Sequence, residues 1–384
     1  MLKMLIEKFI PKNGENHRTG IGQLAGVLGF LSNAILFLGK FMIGLTAGSV
    51  SIMADAINSL TDTISSILTL VGFKIAAKPA DKEHPYGHER FEYISGFLIS
   101  LLMTFVGLQF LEASFEKILQ PENMKLGWLV FVILVLSIVI KVWQSRMYHR
   151  LADTIQSKTL KATSQDSLND VLTTLAVLLS ALVELITGWR VDGYVGFVIA
   201  AYIIYSGIKM VREFIAELLG QRPTEEELAQ MNDLLGEFSE ILGYHDLLVH
   251  NYGPQKRFAS VHIEVDDRWN LNEAHDVINQ IEKEFWERLE VDLVCHIDPV
   301  AVQNQVYQEK KEAVQVIVAN VDGNLRMHDF RILSPNRLSF DLVVPRSVSL
   351  TDQELRDTIL LKIQQRYGNQ TVEITFDHNY LLPE

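Results

Sequence analysis

Apolar residues crowd into the first 220 positions of this chain, in runs long enough to cross a lipid bilayer. A helix needs about 20 consecutive apolar residues to span the hydrocarbon core of a membrane. Hydropathy averaged over a sliding window predicts six such spans, at approximately 21–46, 49–76, 93–116, 126–147, 166–187 and 193–214. We therefore expect a membrane α-helical bundle with six transmembrane helices in the first half of the chain.

Basic residues predict how these helices are oriented. Lys and Arg are frequent in the first 20 residues and after the second and fourth spans, whereas the loops on the opposite side hold only Lys117, Lys125 and Arg190. Because cytosolic loops carry the excess of Lys and Arg, we expect both termini in the cytosol. The N-terminal segment has no cleavage-site pattern of a signal peptide, and we expect a plasma or inner membrane protein.

Composition narrows the classes of partner and activity. The formal net charge of -13 argues against a nucleic-acid binder, which would carry a basic patch or stripe, and it suits cations. The single cysteine, Cys295, excludes an intramolecular disulfide. The chain contains neither HExxH nor GxSxG, so neither an intramembrane hydrolase nor any other enzyme is expected.

Polar residues interrupt the second and fifth predicted spans. Helix positions three, four and seven apart share a face, so Asp55 falls on one stripe with Asn58 and Asp62. A charge near the bilayer centre costs at least about 2.5 kcal/mol, and such residues usually face an ion pathway. We predict one oxygen-lined cation site, formed by Asn58, Asp62, Asp166 and Asp170. Asp55 is expected behind these ligands, although Asp55 or Asp166 alone would also fit a helix N-cap.

The donor atoms predict the kind of cation. Carboxylate, amide carbonyl and water oxygens suit Mg, Ca and Mn, whereas imidazole and thiolate suit Zn and Cu. A hard or borderline divalent cation is therefore expected at this site.

A second group of possible ligands lies in the loop after the second span. Asp81, His84 and His88 are spaced three and four residues apart, which is compatible with a metal site on one turn. Pro85 and Gly87 fit equally well a loop whose histidines are solvated.

These motifs resemble the cation diffusion facilitator family. The resemblance rests on SVSIMADAINSLTD, KPADKEHPYGHERFE and DSLND, and it extends from about residue 20 to 300. It implies a homodimeric antiporter that exports a divalent metal in exchange for protons, with no resident cofactor. Asn58 and Asp166 stand where the zinc and cadmium branch has Asp and His, so the pattern is similar to the manganese-exporting branch. Zn(II), Fe(II) and Co(II) are alternative cargoes, and a membrane-anchored metal sensor is an alternative function.

Beyond Pro223 the sequence predicts soluble α+β structure. A helix capped by Thr224 and Glu227 is followed by strand, strand, helix and strand, which predicts a small antiparallel ferredoxin-like unit. The resemblance implies a metal site in this cytosolic domain, formed by His245, His262, His275, His296 and Asp298. The alternative is that these histidines are solvated at strand edges.

The order strand, strand, helix and strand recurs about 80 residues later, which predicts an internal repeat. His328 corresponds to His245, but Asp341 stands at the position of His262. We therefore expect the second copy to have lost most ligands and to support dimerisation or regulation. The predicted domains are a cytosolic segment at 1–20, the six-helix domain at 21–219, the ferredoxin-like domain at 220–302 and its duplicate at 303–384.

Overall fold

A computed structural model describes residues 15–47, 50–120, 128–187, 189, 191–345 and 347–378. The chain divides into two compact units. The first contains Met1–Gln221 and Asn251–Lys256, and the second contains Arg222–His250 and Arg257–Glu384.

Within the described residues, the first unit contains six long helices, each of which overlaps one predicted span. They are α1 (Glu15–Ala47), α2 (Val50–Ala76), α3 (Arg90–Leu119), α4 (Trp128–Ile155), α5 (Lys158–Thr187) and α6 (Asp192–Leu219).

Within the described residues, four segments of these helices are long and apolar enough to cross a membrane. They are His17–Met42, Arg90–Leu119, Phe131–Ile155 and Gly193–Leu219. Helices α2 and α5, which carry the predicted oxygen ligands, are not among these four segments of the described residues. The first unit is thus a membrane helical domain, and six spans stay a prediction.

Glycines on α1 allow its close packing against neighbouring helices. A Cβ atom at Gly26 would lie 2.8 Å from the Cβ of Leu70 and 2.9 Å from its backbone nitrogen, both in α2. Gly29 faces the hydroxyl group of Tyr148 in α4 with no room for a side chain. Small residues at such positions let helix backbones approach inside a membrane.

A buried ion pair joins the start of α1 to the start of α3. The Nη2 atom of Arg18 donates to both carboxylate oxygens of Glu92, at 2.8 and 2.7 Å. The hydroxyl group of Ser157, between α4 and α5, donates to the same carboxylate at 2.6 Å. Glu92 is buried, so these contacts compensate the cost of removing its charge from water.

The second unit contains two three-stranded sheets with their helices. Its elements are α7 (Glu225–Gly236), β1 (Gly243–Asn251), β2 (Arg257–Asp266), α8 (Leu271–Leu289), β3 (Val291–Val300), α9 (Gln305–Ala319), β4 (Arg326–Ser334), β5 (Arg337–Val343), α10 (Asp352–Tyr367) and β6 (Thr371–Asp377). The predicted order strand, strand, helix and strand therefore occurs twice, and the capping box of Thr224 and Glu227 begins α7.

Strand pairing differs from the antiparallel prediction. Strands β2 and β3 pair in parallel, as do β5 and β6, whereas β4 and β5 are antiparallel. The prediction of antiparallel pairing is therefore wrong for β2 with β3 and for β5 with β6. Parallel neighbours need a crossover connection. Helices α8 and α10 supply that crossover in the two sheets.

Each sheet packs one face on its own helices. In β2, buried residues alternate with partly exposed ones, which is the pattern of a strand with one face on the core. The fully buried side chains of the first core include Val261, Ile263, Ile281 and Phe285, and those of the second include Leu338, Phe340, Ile359 and Ile363. The opposite face of β2 carries Ser260, His262, Glu264 and Asp266.

Candidate metal sites

In the first unit, Lys141 of α4 lies between two predicted metal ligands. Its Nζ atom is 2.6 Å from Oδ2 of Asp62 in α2 and 2.6 Å from Oδ2 of Asp170 in α5. Lys141 and Asp62 are buried, so water screens this ion pair little. The ammonium group therefore holds three helices together at the point where the sequence predicts a cation.

Sequence reasoning missed Lys141. Its signal is a single lysine in the middle of the apolar run 126–147, and a basic residue within a span is itself a candidate functional group. A second buried lysine, Lys40 of α1, donates to the hydroxyl group of Ser59 at 3.0 Å and acts electrostatically on Asp62.

The remaining predicted ligands of this site are only partly described. Asp166 interacts electrostatically with Asp62, Asp170 and Lys141. Asn58 and Asp55, which are predicted beside them, lie in α2, but their side chains are outside the part of the chain whose side chains the structure describes.

A polar chain continues from Asp62 between the helices. The amide nitrogen of Asn33 in α1 donates to the backbone carbonyl of Asp62 at 3.2 Å and to the Ser66 hydroxyl at 3.1 Å. Gln144, one turn after Lys141 in α4, donates to the amide oxygen of Asn33 at 2.9 Å. These bonds fix the rotation of α1, α2 and α4 about their axes and so orient the carboxylate of Asp62.

The loop between α2 and α3 brings Asp81, His84 and His88 together. Nδ1 of His84 is 3.4 Å from one carboxylate oxygen of Asp81, and Nε2 of His88 is 3.5 Å from the other. Nδ1 of His88 contacts the Pro79 carbonyl at 3.2 Å, which is the outer contact that orients many metal-binding histidines. The three possible ligand atoms lie within 4.8 Å of one another.

In the second unit, four of the five predicted cytosolic ligands come together: three histidines surround Asp298. Its Oδ2 atom is 2.8 Å from Nδ1 of His262 and 3.4 Å from Nε2 of His245, and its Oδ1 atom is 3.6 Å from Nε2 of His296. His275 is exposed on α8 and belongs to none of the ligand groups found among the described residues.

Strand alternation explains why these side chains meet. The parallel register pairs His262 of β2 with His296 of β3, and both residues alternate with core residues such as Val261 and Ile263. Successive residues of a strand point to opposite faces. The imidazoles therefore lie on the sheet face away from the helices.

The histidines and carboxylates of this group shift one another's pKa values. Burial raises the pKa of Asp298, but hydrogen bonds from His245 and His262 outweigh it, and the pKa falls to about 2. Burial opposes protonation of His245, yet the carboxylates of Asp246 and Asp298 raise its pKa to about 9. A metal ion at this group must therefore displace a proton from His245, since only the neutral imidazole is a ligand.

Two residues of β4, in the second sheet, contact the group around Asp298. Nη2 of Arg331 is 3.2 Å from Oδ1 of Asp298. The ring of His328 packs on that of His245 with centroids 4.2 Å apart. Burial, followed by the neighbouring His245, lowers the pKa of His328. The sequence predicts no chemistry for the second copy, because local spacing does not reveal which sheet faces meet.

Comparison with known proteins identifies both parts of the chain. Residues 26–219 match the cation efflux transmembrane domain, and residues 223–300 match the cytoplasmic domain of cation efflux proteins. An uncharacterized transporter of Methanocaldococcus jannaschii is 29% identical over 211 residues, which cover 55% of this chain and 74% of that protein.

Two bacterial pumps are similar over a comparable length. The cation-efflux pump FieF of Yersinia enterocolitica is 27% identical over 234 residues, covering 60% of this chain and 76% of the pump. The pump of the same name from Salmonella newport is 30% identical over 241 residues, covering 62% of this chain and 79% of the pump.

Proposed function

The chain belongs to the cation efflux, or cation diffusion facilitator, family of transporters, and from this premise we propose that it is an Mn(II)/proton antiporter. It exports the metal from the cytosol by alternating access. Six helices span the membrane with both termini in the cytosol, and the protein works as a homodimer. The match of residues 223–300 to the cytoplasmic domain of cation efflux proteins supports the placement of the second half.

The single observation that carries the proposal is the contact of Lys141 with both Asp62 and Asp170. Two carboxylates from different helices converge on one buried cation, which is the property that a cation pathway requires. Asp166 adds a third carboxylate within electrostatic range. Three carboxylates carry more negative charge than one ammonium group neutralises, so the site attracts a further cation.

The donor set favours manganese. Asp62, Asp166 and Asp170 offer only oxygen ligands, as would the amide of Asn58. Oxygen donors suit Mn(II), whereas Zn(II) prefers sites with imidazole or thiolate. Zn(II) and Fe(II) are the alternative cargoes, because affinity rises along the divalent series and geometry separates these ions weakly.

Lys141 adds a step to the transport cycle. The metal ion and the ammonium group compete for the same carboxylate oxygens, so the metal displaces Lys141 when it binds from the cytosol. After outward opening, protonation of the carboxylates releases the metal. Lys141 then returns to Asp62 and Asp170 as the protons leave, and it prevents bare carboxylates from remaining buried during the return step.

The test is metal uptake into proteoliposomes that contain purified protein and a pH-sensitive dye. Mn(II), Zn(II), Fe(II) and Co(II) are compared for the wild type, Asp62→Ala and the control Leu60→Ala, an exposed neighbour in α2. We expect manganese-driven proton movement that Asp62→Ala abolishes and Leu60→Ala retains. Zinc-dominated movement would contradict the metal assignment, and full activity of Asp62→Ala would contradict the site.

A membrane-anchored metal sensor is the second candidate function. The convergence of His245, His262 and Asp298 favours it, because such a group binds metal without any transport. Buried carboxylates with a buried lysine argue against it, since a simple anchor has no use for them. Proteoliposomes in which no metal moves, although the protein binds metal, would favour the sensor.

A further inference from the structure

We propose that the second unit contains a metal site shared by its two sheets, formed by His245 and Asp246 of β1 and by His328 of β4. Its ligand is a borderline divalent cation of the Zn(II) or Co(II) type. The site is distinct from the predicted group around Asp298, and it does not depend on which metal the helices transport.

Proximity is the first support for the shared site. The possible ligand atoms of His245, Asp246 and His328 all lie within 4.8 Å of one another. Nδ1 of His245 is 3.2 Å from Oδ2 of Asp246. Ligands at about 2.0–2.2 Å from a tetrahedral ion lie about 3–4 Å apart, so small side-chain rotations suffice to enclose the ion.

The burial of His328 is the second, independent support. About nine-tenths of this residue is buried, and neither ring nitrogen has a hydrogen-bond partner among the described residues. Buried polar groups in proteins are nearly always hydrogen-bonded, and an unmet one needs an explanation such as an ion. A metal ion between His328 and Asp246 supplies the missing partner.

The backbone of the two strands explains how the site arises. Asp246 follows His245 in β1, and Asp329 follows His328 in β4. Both aspartates have backbone angles in the left-handed region, with φ of 53° and 48°. Non-glycine residues adopt this conformation rarely, and it occurs at the same position in β1 and β4. His245 thus packs on its own counterpart, His328, which is the contact expected of an approximate two-fold relation.

The neighbouring side chains determine which cation fits. Oδ2 of Asp377, at the end of β6, is 3.9 Å from Nε2 of His328, so a second carboxylate lies beside the first. Two imidazoles with two carboxylates form a mixed nitrogen and oxygen donor set, which suits Zn(II) or Co(II) better than Mg or Ca. A bound ion would link β1 of the first sheet to β4 and β6 of the second.

His245 lies between the two groups and has a nitrogen for each. Its Nδ1 atom faces Asp246, and its Nε2 atom faces Asp298. Substitution of His245 would therefore disturb both groups. His328 belongs only to the shared site and His262 only to the group at Asp298, so these two positions separate the sites experimentally.

The experiment is Co(II) titration of the full-length protein in detergent after removal of metal, followed by visible absorbance and equilibrium dialysis. The variants are His328→Asn, His262→Asn and, as control, His250→Asn, an exposed histidine of β1 outside both groups. We expect His328→Asn to lose one Co(II) per chain, or to bind it at least about tenfold more weakly. His262→Asn and His250→Asn should retain that ion.

A second variant, Asp246→Asn, tests the same site independently in case His328→Asn does not fold. Asp246→Asn removes a carboxylate but suits the left-handed backbone, because asparagine tolerates this region. Co(II) should raise the thermal midpoint of the wild type, since a ligand of the folded state stabilises it, and should do so less for Asp246→Asn. Equal Co(II) stoichiometry, affinity and stabilisation in the wild type and both variants would overturn the proposal. Loss of a Co(II) site in His262→Asn alone would also overturn it.

Discussion

The ammonium group of Lys141 lies 2.6 Å from the carboxylate of Asp62, inside the helical unit and 79 residues away along the chain. Asp170 contacts the same ammonium group from a third helix. The predicted cation site is thus occupied by a cation that belongs to the protein. We predict that a transported ion displaces it, which would make Lys141 a determinant of both binding and release.

Lys141→Gln should bind metal more tightly and transport it more slowly. The apparent dissociation constant of a site rises as the fraction of protein with a free site falls, so we expect removal of the competing ammonium group to lower the half-saturating Mn(II) concentration about tenfold. Release slows because no ammonium group returns to the carboxylates. The measurement is Mn(II) uptake in proteoliposomes as a function of concentration.

Lys141→Arg is the matched control for that variant, because it retains the charge while changing the shape of the donor group. An unchanged half-saturation and rate in Lys141→Gln would show that the ammonium group does not compete with the metal.

Metal preference should follow the donor atoms of α2 and α5. Asp166→His, alone or with Asn58→Asp, introduces the residue types that the resemblance associates with zinc transport. We expect the ratio of Zn(II) to Mn(II) uptake to rise, since imidazole suits zinc. Leu168→Ala, an exposed residue of α5, is the control, and an unchanged ratio in both variants would locate selectivity elsewhere.

Gly26→Leu should disrupt the packing of α1 on α2. A side chain at this position meets the backbone of Leu70, which cannot rotate away. Overpacking costs typically about 1–3 kcal/mol, and backbone contact places this case at the upper end. The thermal midpoint and the monodispersity of the detergent-solubilised protein report it.

Gly39→Leu is the control for helix packing, because a Cβ atom there meets no atom within 4 Å. Equal stability of the two leucine variants would contradict the close contact at Gly26.

Glu92→Gln should destabilise the helical unit. It leaves Arg18 beside a neutral group and weakens the bond from Ser157. Breaking a buried ion pair by removing one partner costs about 3–5 kcal/mol, and the isosteric amide should cost somewhat less. Glu116→Gln, an exposed change in the same helix, should leave the thermal midpoint unchanged; equal loss in both variants would refute the role of Glu92.

The features that depend on local spacing can be predicted from the sequence alone. Apolar runs of sufficient length predict the helices that overlap α1 to α6, because span length follows from bilayer thickness. The i, i+4 spacing of Asp166 and Asp170 places them on one helix face without knowledge of neighbours. The order of strands and helices in the second unit follows equally from local periodicity.

The contacts between faces of different elements become visible only in the folded chain. Lys141 is an isolated lysine in the sequence, and its position between Asp62 and Asp170 results from the packing of α4 against α2 and α5. Sequence position makes His328 correspond to His245, but the contact between the two rings depends on how the two sheets pack. Such contacts join residues far apart in the chain, and the local periodicities that predict helices and strands carry no information about them.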